Sequence, residues 1–197
     1  LSISTAMNLS STSTRRTISL LQRRDWNMPD HRILGITGWK NSGKTTLTER
    51  LVAALVARGY RIATIKHAHH AFDIDHEGRD SFRHRKAGAA EVAVVSSKRW
   101  ALIHELDNED EPPLNEVLSR LSPCDLVIIE GYKREGHAKI EVRRSGARES
   151  IPISDSDPSI IALVTDMEDG DTTLPRFELD DVDAVTGFVM DRFPLEK

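Results

Sequence analysis

Eight consecutive residues have the types and spacing that bind phosphate: Gly38-Trp39-Lys40-Asn41-Ser42-Gly43-Lys44-Thr45. The two glycines let the backbone wrap closely around an anion, with its N–H groups pointing inward. The Lys44 ammonium would reach the β- and γ-phosphates of a nucleoside triphosphate, and the Thr45 hydroxyl would ligate Mg²⁺. The segment matches the pattern G-x-x-x-x-G-K-[ST] in full, so it predicts a site for a nucleoside triphosphate and its magnesium ion.

This phosphate-binding loop lies between two predicted elements that would position it. Residues 33–37 form a short apolar run, typical of a buried strand. From Lys44 onward the apolar residues fall on one face of a helix: Leu47, Leu51, Ala54 and Leu55. That helix would point its positive N-terminus at the phosphate. With the strand predicted at 61–66, the three elements make a βαβ unit, so the context favours a functional motif over a chance match.

The rest of the chain continues this alternation of strands and helices. We predict helices at 80–89, 112–121 and 182–193, and strands at 91–95, 100–103, 126–129, 139–143 and 161–164. The runs 126–129 and 161–164 are fully apolar, as in strands buried in a parallel sheet. Residues 139–143 alternate polar and apolar side chains, so we expect one exposed face there. The pattern predicts an α/β domain with a mostly parallel sheet.

A magnesium-dependent phosphate site also needs a carboxylate at the end of a neighbouring strand. Asp125 precedes the apolar run 126–129, and Glu130 follows it. Ligands bind at the carboxyl edge of open α/β sheets, so we predict that Glu130 serves the metal. Asp125 is better explained as a strand-start or turn residue.

The segment 66–76 is rich in histidine, and five of the eight histidines of the chain lie between His67 and His84. We favour a substrate or switch loop in which Lys66 and the histidines meet phosphates and Asp75 lies near magnesium. A transition-metal site is a second interpretation, because imidazoles bind zinc, nickel and copper. The absence of a nearby cysteine and of an H-x₃-H helical pair weakens it. The third interpretation is a plain solvated loop.

Composition limits the class of protein. The chain has 197 residues, a formal net charge of −4 and one cysteine, Cys124. The acidic balance gives no indication of a nucleic-acid partner. A single cysteine excludes an intrachain disulfide and fits a reducing cytoplasm. No apolar run approaches the roughly 18 residues that cross a bilayer, so we expect no membrane association.

Residues 1–30 differ in composition from the rest. The stretch 1–27 is rich in Ser, Thr and Arg and has no acidic residue before Asp25. A transit peptide has this composition, and so does a tail that cannot bury enough apolar surface to become ordered. A third interpretation is that the native chain begins at Met28. We favour the last two, which predict a disordered or non-native tail at 1–30 and a nucleotide-binding domain at 31–197.

Further motifs occur in a specific order along the chain: Gly38 to Thr46, Lys66-His67-Ala68-His69-His70, Asp75, residues 78–89 and residues 125–133. Together they resemble the bacterial molybdopterin-guanine dinucleotide biosynthesis adapter family (MobB) over about residues 31–190. The K-H-x-H-H loop, the D-S-x-R-x-R-x-A-G-A stretch and the E-G-Y-K turn make this resemblance specific. We therefore expect a three-layer α/β fold with a mostly parallel sheet and a P-loop NTPase (SIMIBI-like) topology.

The resemblance implies that the chain binds GTP with Mg²⁺, hydrolyses it slowly at best and forms a homodimer. Members of the family act beside the guanylyltransferase that attaches GMP to molybdopterin, and with the molybdoenzymes that receive the cofactor. Molybdopterin itself is a further candidate ligand. The predicted nucleotide-binding residues are Gly38, Asn41, Ser42, Gly43, Lys44, Thr45, Thr46, Lys66 and Asp166. The predicted metal-binding residues are Thr45, Glu130 and Asp75.

Two features depart from the family pattern. Residues 75–79 lack the proline expected before Gly78, and Arg79 stands where lysine is frequent. The chain also has no N-K-x-D motif to recognise guanine, and Thr165-Asp166 is only a partial match. Asp166 could accept hydrogen bonds from a guanine edge or be an ordinary strand-terminal residue. The expected preference for guanine therefore rests on the family.

Two other functions use the same phosphate motif. A metallochaperone GTPase for nickel is disfavoured, because Cys124 stands alone before a core strand. A small-molecule kinase would need a lid of catalytic arginines, for which Arg79, Arg83 and Arg85 are candidates. We favour the interpretation that these arginines form a positive helix face, which contacts a pterin phosphate or a partner. Catalysis should be weak, since no water-positioning residue or arginine finger is identifiable.

Overall fold

The computed structural model describes residues 31–68, 72–147, 151–168 and 172–195. The strands are β1 Ile33–Thr37, β2 Ile62–Lys66, β3 Glu91–Val95, β4 Trp100–His104, β5 Leu126–Glu130, β6 Lys139–Arg143, β7 Ile160–Thr165 and β8 Arg176–Phe177. The helices are α1 Lys44–Ala57, α2 Asp80–Lys86, α3 Leu114–Ser119 and α4 Val182–Arg192. The tail predicted at 1–30 lies outside the described residues.

Six strands form one sheet in the order β2-β5-β1-β6-β7-β8, and all of their pairings are parallel. The remaining strands, β3 and β4, form a separate antiparallel hairpin. The predicted mostly parallel α/β architecture is therefore confirmed. Strand β1 lies between β5 and β6, so the phosphate-binding loop leaves the sheet near its centre, at the carboxyl edge where ligands bind.

Helices cover both faces of this sheet and give it three layers. On one face, alternate residues of β1 and β5, such as Leu34 and Ile128, pack with α1 and α4. On the other face, Val127 and Ile129 pack with Leu114 and Leu118 of α3. Full burial of one such aliphatic side chain contributes about 1.5–3 kcal/mol, so these two clusters fix the ends of the strands that carry the site.

The prediction that strand 139–143 has one exposed face is wrong. All five residues of β6 are buried, including Lys139, Glu141 and Arg143. The backbone N–H groups of Ile153 and Ser154 donate to the Glu141 carboxylate at 2.8 and 2.9 Å, so the connection between β6 and β7 covers this face. Alternation of residue types indicates which side chains share a face, but not whether water or protein lies against it.

Helix α2 is shorter than predicted, because it ends at Lys86 instead of residue 89. Gly88 adopts φ +97°, the left-handed conformation that commonly ends a helix. Helix α3 begins at Leu114 after an extended Pro113. Among the helices of the described residues, none is long and apolar enough to span a membrane.

Candidate nucleotide-binding site

The backbone of the loop after β1 adopts the conformation that an anion-binding cradle requires. Gly38, Asn41 and Gly43 have φ angles of 148°, 67° and 100°. Gly43 is also the N-cap of α1, so the first free N–H groups of the helix face the same concavity. A Cβ atom on Gly38 would lie 2.4 Å from the Val142 carbonyl oxygen, so only glycine fits there. Dense packing against β6 therefore shapes the cradle.

Lys44 folds over this cradle, and its Nζ donates a hydrogen bond to the Trp39 carbonyl oxygen at 2.6 Å. Burial lowers the pKa of Lys44, and the charges of Lys133 and Lys66 act in the same direction, while Glu130 opposes them. The Lys133 ammonium lies 4.1 Å from the centre of the Trp39 ring. Several lysines therefore concentrate positive charge at one point, which a polyphosphate would neutralise.

Thr45 and Glu130 meet beside this cluster of lysines. The Thr45 hydroxyl donates to both Glu130 oxygens, at 3.0 and 3.1 Å. The Lys66 Nζ lies 3.5 Å from one of the same oxygens. These contacts follow from the sheet, because Glu130 is in register with Ile36 of β1 and with Lys66 of β2. The structure thus brings three of the predicted site residues together.

The chemistry of this donor set fits a magnesium ion. Mg²⁺ in nucleotide sites takes one or two carboxylates, substrate phosphates and several waters, all with oxygen as the ligand. Glu130 supplies the carboxylate, and the Thr45 hydroxyl lies next to it at the start of α1. In the part of the chain that the structure describes, no group of three or more His, Cys, Asp or Glu side chains could hold a metal ion. His69 and His70 lie outside the described residues.

The other predicted residues of the phosphate-binding loop and of the first turn of α1 differ in their exposure to solvent. Ser42 is buried, and a Cβ on Gly38 would lie 2.6 Å from its hydroxyl oxygen, so Ser42 packs beneath the cradle. Asn41 and Thr46 are exposed, on the loop and on the first turn of α1. Thr46 is therefore accessible to a ligand, whereas the Ser42 side chain supports the loop from inside.

Asp75, the third predicted magnesium ligand, forms hydrogen bonds with Arg85. The Arg85 guanidinium hydrogen-bonds the Asp75 carboxylate, and it also pairs with Asp73 at 2.5 Å and Glu105 at 2.7 Å. The hydrogen bond from Arg85 lowers the pKa of Asp75, and the pKa of Arg85 is raised in return. Arg85 therefore ties the loop before α2 to the hairpin. The hydrogen bonds of Asp75 among the described residues are made within the loop and α2, and none of them joins Thr45 or Glu130.

Asp166 and Asp125 each accept hydrogen bonds from the protein backbone. Both Asp166 oxygens accept from Ser145, one from its backbone N–H at 2.6 Å and one from its hydroxyl at 2.7 Å. These bonds lower the pKa of Asp166 and join the end of β7 to the turn after β6. Asp125 accepts from the Arg61 N–H at 2.6 Å, as expected of a strand-start residue.

The K-H and E-G-Y-K motifs lie side by side, because β2 and β5 are neighbours in the sheet. The His67 ring lies 4.4 Å from the Tyr132 ring, and a Cβ on Gly131 would approach the His67 Cβ to 2.8 Å. The E-G-Y-K motif contains Lys133, but the motif by itself does not indicate that Lys133 contacts the phosphate-binding loop. Lys133 and its partner Trp39 are 94 residues apart in the chain, so no local sequence pattern indicates their contact.

Comparisons with known proteins agree on one family. The model of molybdopterin guanine dinucleotide synthesis protein B, MobB, matches residues 33–166. The chain is 40% identical over 161 residues to the molybdopterin-guanine dinucleotide biosynthesis adapter protein of Escherichia coli, covering 81% of this chain and 91% of that protein. The Haemophilus influenzae adapter protein is 38% identical over 136 residues, 68% of this chain and 74% of that one. The crystal structure of a MobB homolog from Bacillus stearothermophilus superposes with a TM-score of 0.64 at 29% identity, covering 82% of this chain and 97% of that one.

Proposed function

The chain belongs to the MobB family, and we propose that it is a GTP-binding adapter in the formation and delivery of molybdopterin guanine dinucleotide. The observation that carries this proposal is the Thr45–Glu130 pair, which lies beside the phosphate cradle with Lys44 and Lys66 around it. We assign the nucleotide-binding domain to residues 31–197, and we propose that the protein works in the cytoplasm.

In this proposal the backbone of residues 38–45 and the N-terminus of α1 bind the phosphates. Lys44 exchanges its hydrogen bond to the Trp39 carbonyl for the β- and γ-phosphates. Thr45 and Glu130 hold Mg²⁺, which neutralises the phosphate charge. Lys66 lies beside Glu130, which supports a role for its ammonium in binding the γ-phosphate. The ligand would raise the pKa of Lys44, because a polyanion favours its charged form.

We propose that hydrolysis of GTP is slow and that binding is the main activity. An efficient GTPase needs a residue that orients the attacking water and a cation that stabilises the transition state. Arg85 is a poor candidate for that cation, because its guanidinium is bonded to three carboxylates. Turnover on the order of tens per second, which is ordinary for an enzyme, would contradict this part of the proposal.

We propose that α2 presents a surface to the guanylyltransferase or to a pterin phosphate. Arg79 precedes this helix and Arg83 lies within it, and both side chains are exposed. Within the described residues, Arg83 forms a loose ion pair with Asp80, at 4.0 Å. Arginine is enriched where a protein recognises phosphate or a protein partner, because its planar guanidinium makes paired hydrogen bonds.

Homodimer formation is the last part of the proposal, and the hairpin of β3 and β4 supports it. In the antiparallel register, Val95 lies opposite Trp100, and Ala93 lies opposite Leu102 on the same face. The Val95 and Trp100 side chains are 74% and 70% exposed. An exposed apolar face on a sheet marks a protein–protein contact, and here we assign it to a second copy of the chain.

The adapter role predicts that exposed arginines contribute to partner binding without contributing to nucleotide binding. The double substitution Arg79→Ala/Arg83→Ala should weaken binding to immobilised guanylyltransferase by about tenfold, since arginine is enriched among the few interface residues that contribute most of the binding energy. Affinity for GTP should stay unchanged. The matched control is Arg120→Ala, which removes an exposed arginine directly after α3. Equal loss in both proteins, or no loss in either, would contradict the assignment of this surface.

A further inference from the structure

A cavity of about 130 Å³ opens directly beside the phosphate cradle. It begins at Gly43 and continues past Thr46 to Arg50. These residues are three and four positions apart, so they lie on one face of α1. Its other walls are Val142 of β6, Val164 of β7 and the segment Leu179-Asp180 that follows β8. The cavity therefore connects the phosphate-binding loop to the carboxyl ends of three strands.

The position of the cavity relative to β1 indicates which part of a nucleotide it would take. Glu130 and Lys66 end β5 and β2, on one side of β1, so the magnesium ion and the γ-phosphate belong there. The cavity lies on the opposite side, where β6, β7 and β8 end. A triphosphate held with its γ-phosphate beside Glu130 directs its nucleoside away from β5 and towards Thr46 and the cavity.

The lining of the cavity suits a planar heterocycle with a polar edge. Val142 and Val164 are buried and give it an apolar floor, and Leu179 packs against the core. At the rim, the Arg50 guanidinium donates to Asp180 Oδ1 at 2.6 Å. Arg144 lines the same cavity, and a guanidinium can stack on a flat ring. Binding sites for small molecules combine apolar walls with a few placed polar groups in this way.

We propose that this cavity binds the base of the nucleotide and that Asp180 selects guanine. This inference rests on the proposed function, because it concerns the same bound nucleotide. Guanine carries two adjacent donors, the N1–H and the 2-amino group, and one carboxylate can accept both. Adenine presents an acceptor at N1, which a carboxylate repels. Each carboxylate oxygen can accept two hydrogen bonds, so Asp180 can hold guanine and Arg50 together.

Asp180 is better placed for this role than Asp166. Both Asp166 oxygens are bonded to Ser145, and Asp166 is not among the residues that line the cavity. Asp181, the next residue along the chain, caps α4 by accepting from the Ala184 N–H at 3.0 Å. That cap fixes the segment that carries Asp180, while the Asp180 side chain itself is 91% exposed. Asp180 is therefore a specificity-determining residue that the fold positions without burying.

The test is equilibrium binding of GTP, xanthosine triphosphate, ATP and inorganic tripolyphosphate to the full chain with Mg²⁺. Asp180→Asn should lose at least about tenfold in affinity for GTP, because an amide has one acceptor oxygen and its NH₂ group cannot accept from the second guanine donor. The same variant should prefer xanthosine triphosphate, whose 2-oxo group accepts from the new amide. Its affinity for tripolyphosphate should not change. Asp183→Asn is the matched control, since Asp183 pairs at 3.0 Å with Arg58, the residue after α1, and neither residue lines the cavity.

Three results would overturn the inference. The first is an Asp180→Asn protein that keeps its affinity for GTP. The second is an Asp166→Asn protein that no longer prefers GTP to ATP, together with an Asp180→Asn protein that still does. The third is a wild-type protein that binds tripolyphosphate as tightly as GTP. The phosphates would then account for all of the affinity, and the cavity would not bind the base. A wild-type protein that binds neither compound would instead overturn the proposed function, and the inference with it.

Discussion

Single residues at the proposed site act through their positions at the ends of strands. Glu130 is the last residue of β5 and Lys66 the last of β2, so their side chains meet at one edge of the sheet. Thr45 reaches the same point from the first turn of α1. The rule that ligands bind at the carboxyl edge of the sheet predicts Glu130 from the sequence, and the family resemblance implies the same residue. That Asp75 lies near magnesium stays a prediction, and no sequence pattern indicates that Arg85 binds the Asp75 carboxylate.

His137 makes stability depend on pH in a defined direction. Both ring nitrogens are buried and have no hydrogen-bond partner among the described residues. Burial lowers the pKa of His137 from 6.5 to about 4, with Lys139 acting in the same direction and Asp157 opposing it. Between these two values the unfolded chain binds more protons than the folded one. The free energy of unfolding should therefore fall as the pH is lowered through this range.

The substitution His137→Gln should make the free energy of unfolding less dependent on pH between 6.5 and 4. Urea unfolding of the wild type and the variant at several pH values measures this difference. His84→Gln, at an exposed position of α2, is the control and should follow the wild type. Parallel curves for the wild type and His137→Gln would show that His137 does not titrate in this way.

At the scale of elements, periodicity predicted most strands and helices because it reports which faces are apolar. Strand β5 and helix α1 were identified within a residue or two for that reason. Strand β6 shows a case in which periodicity does not predict burial. Its polar residues are held by partners 12 to 18 residues further along the chain, such as Ile153 for Glu141 and Asp157 for Lys139. Contacts between residues so far apart in the chain leave no periodic pattern in the sequence.

The buried charge of Glu141 should be important for the stability of β6. Its carboxylate accepts from Ile153, Ser154 and Arg143, and Glu141 is fully buried. Glu141→Ala would leave the Arg143 charge without this partner, so we expect a loss of about 3–5 kcal/mol in the free energy of unfolding. Glu116→Ala removes an exposed pair with Arg120 and should cost less than about 1 kcal/mol. Similar losses measured by urea unfolding would contradict the assignment.

At the scale of the whole molecule, the apolar face of the hairpin predicts self-association. Val95→Lys/Trp100→Lys places two charges opposite each other on that face, and should convert a dimer to a monomer in sedimentation experiments. Val56→Lys is the control, because Val56 is 52% exposed on α1, outside the hairpin. A dimer that persists in the double variant would place the contact on another surface. The homodimer was expected from the family resemblance, whereas the exposed face became visible only in the structure.

The proposed site requires that the protein bind GTP and that this binding depend on Mg²⁺. The affinities of the wild type and Lys44→Ala for GTP and ATP should be compared at equilibrium, with Mg²⁺ and with a chelator. Preference for GTP that requires Mg²⁺ and is lost in Lys44→Ala is the predicted result. Preference for ATP, or binding that survives both the chelator and the substitution, would contradict the claim that residues 38–45 and Glu130 form a GTP site.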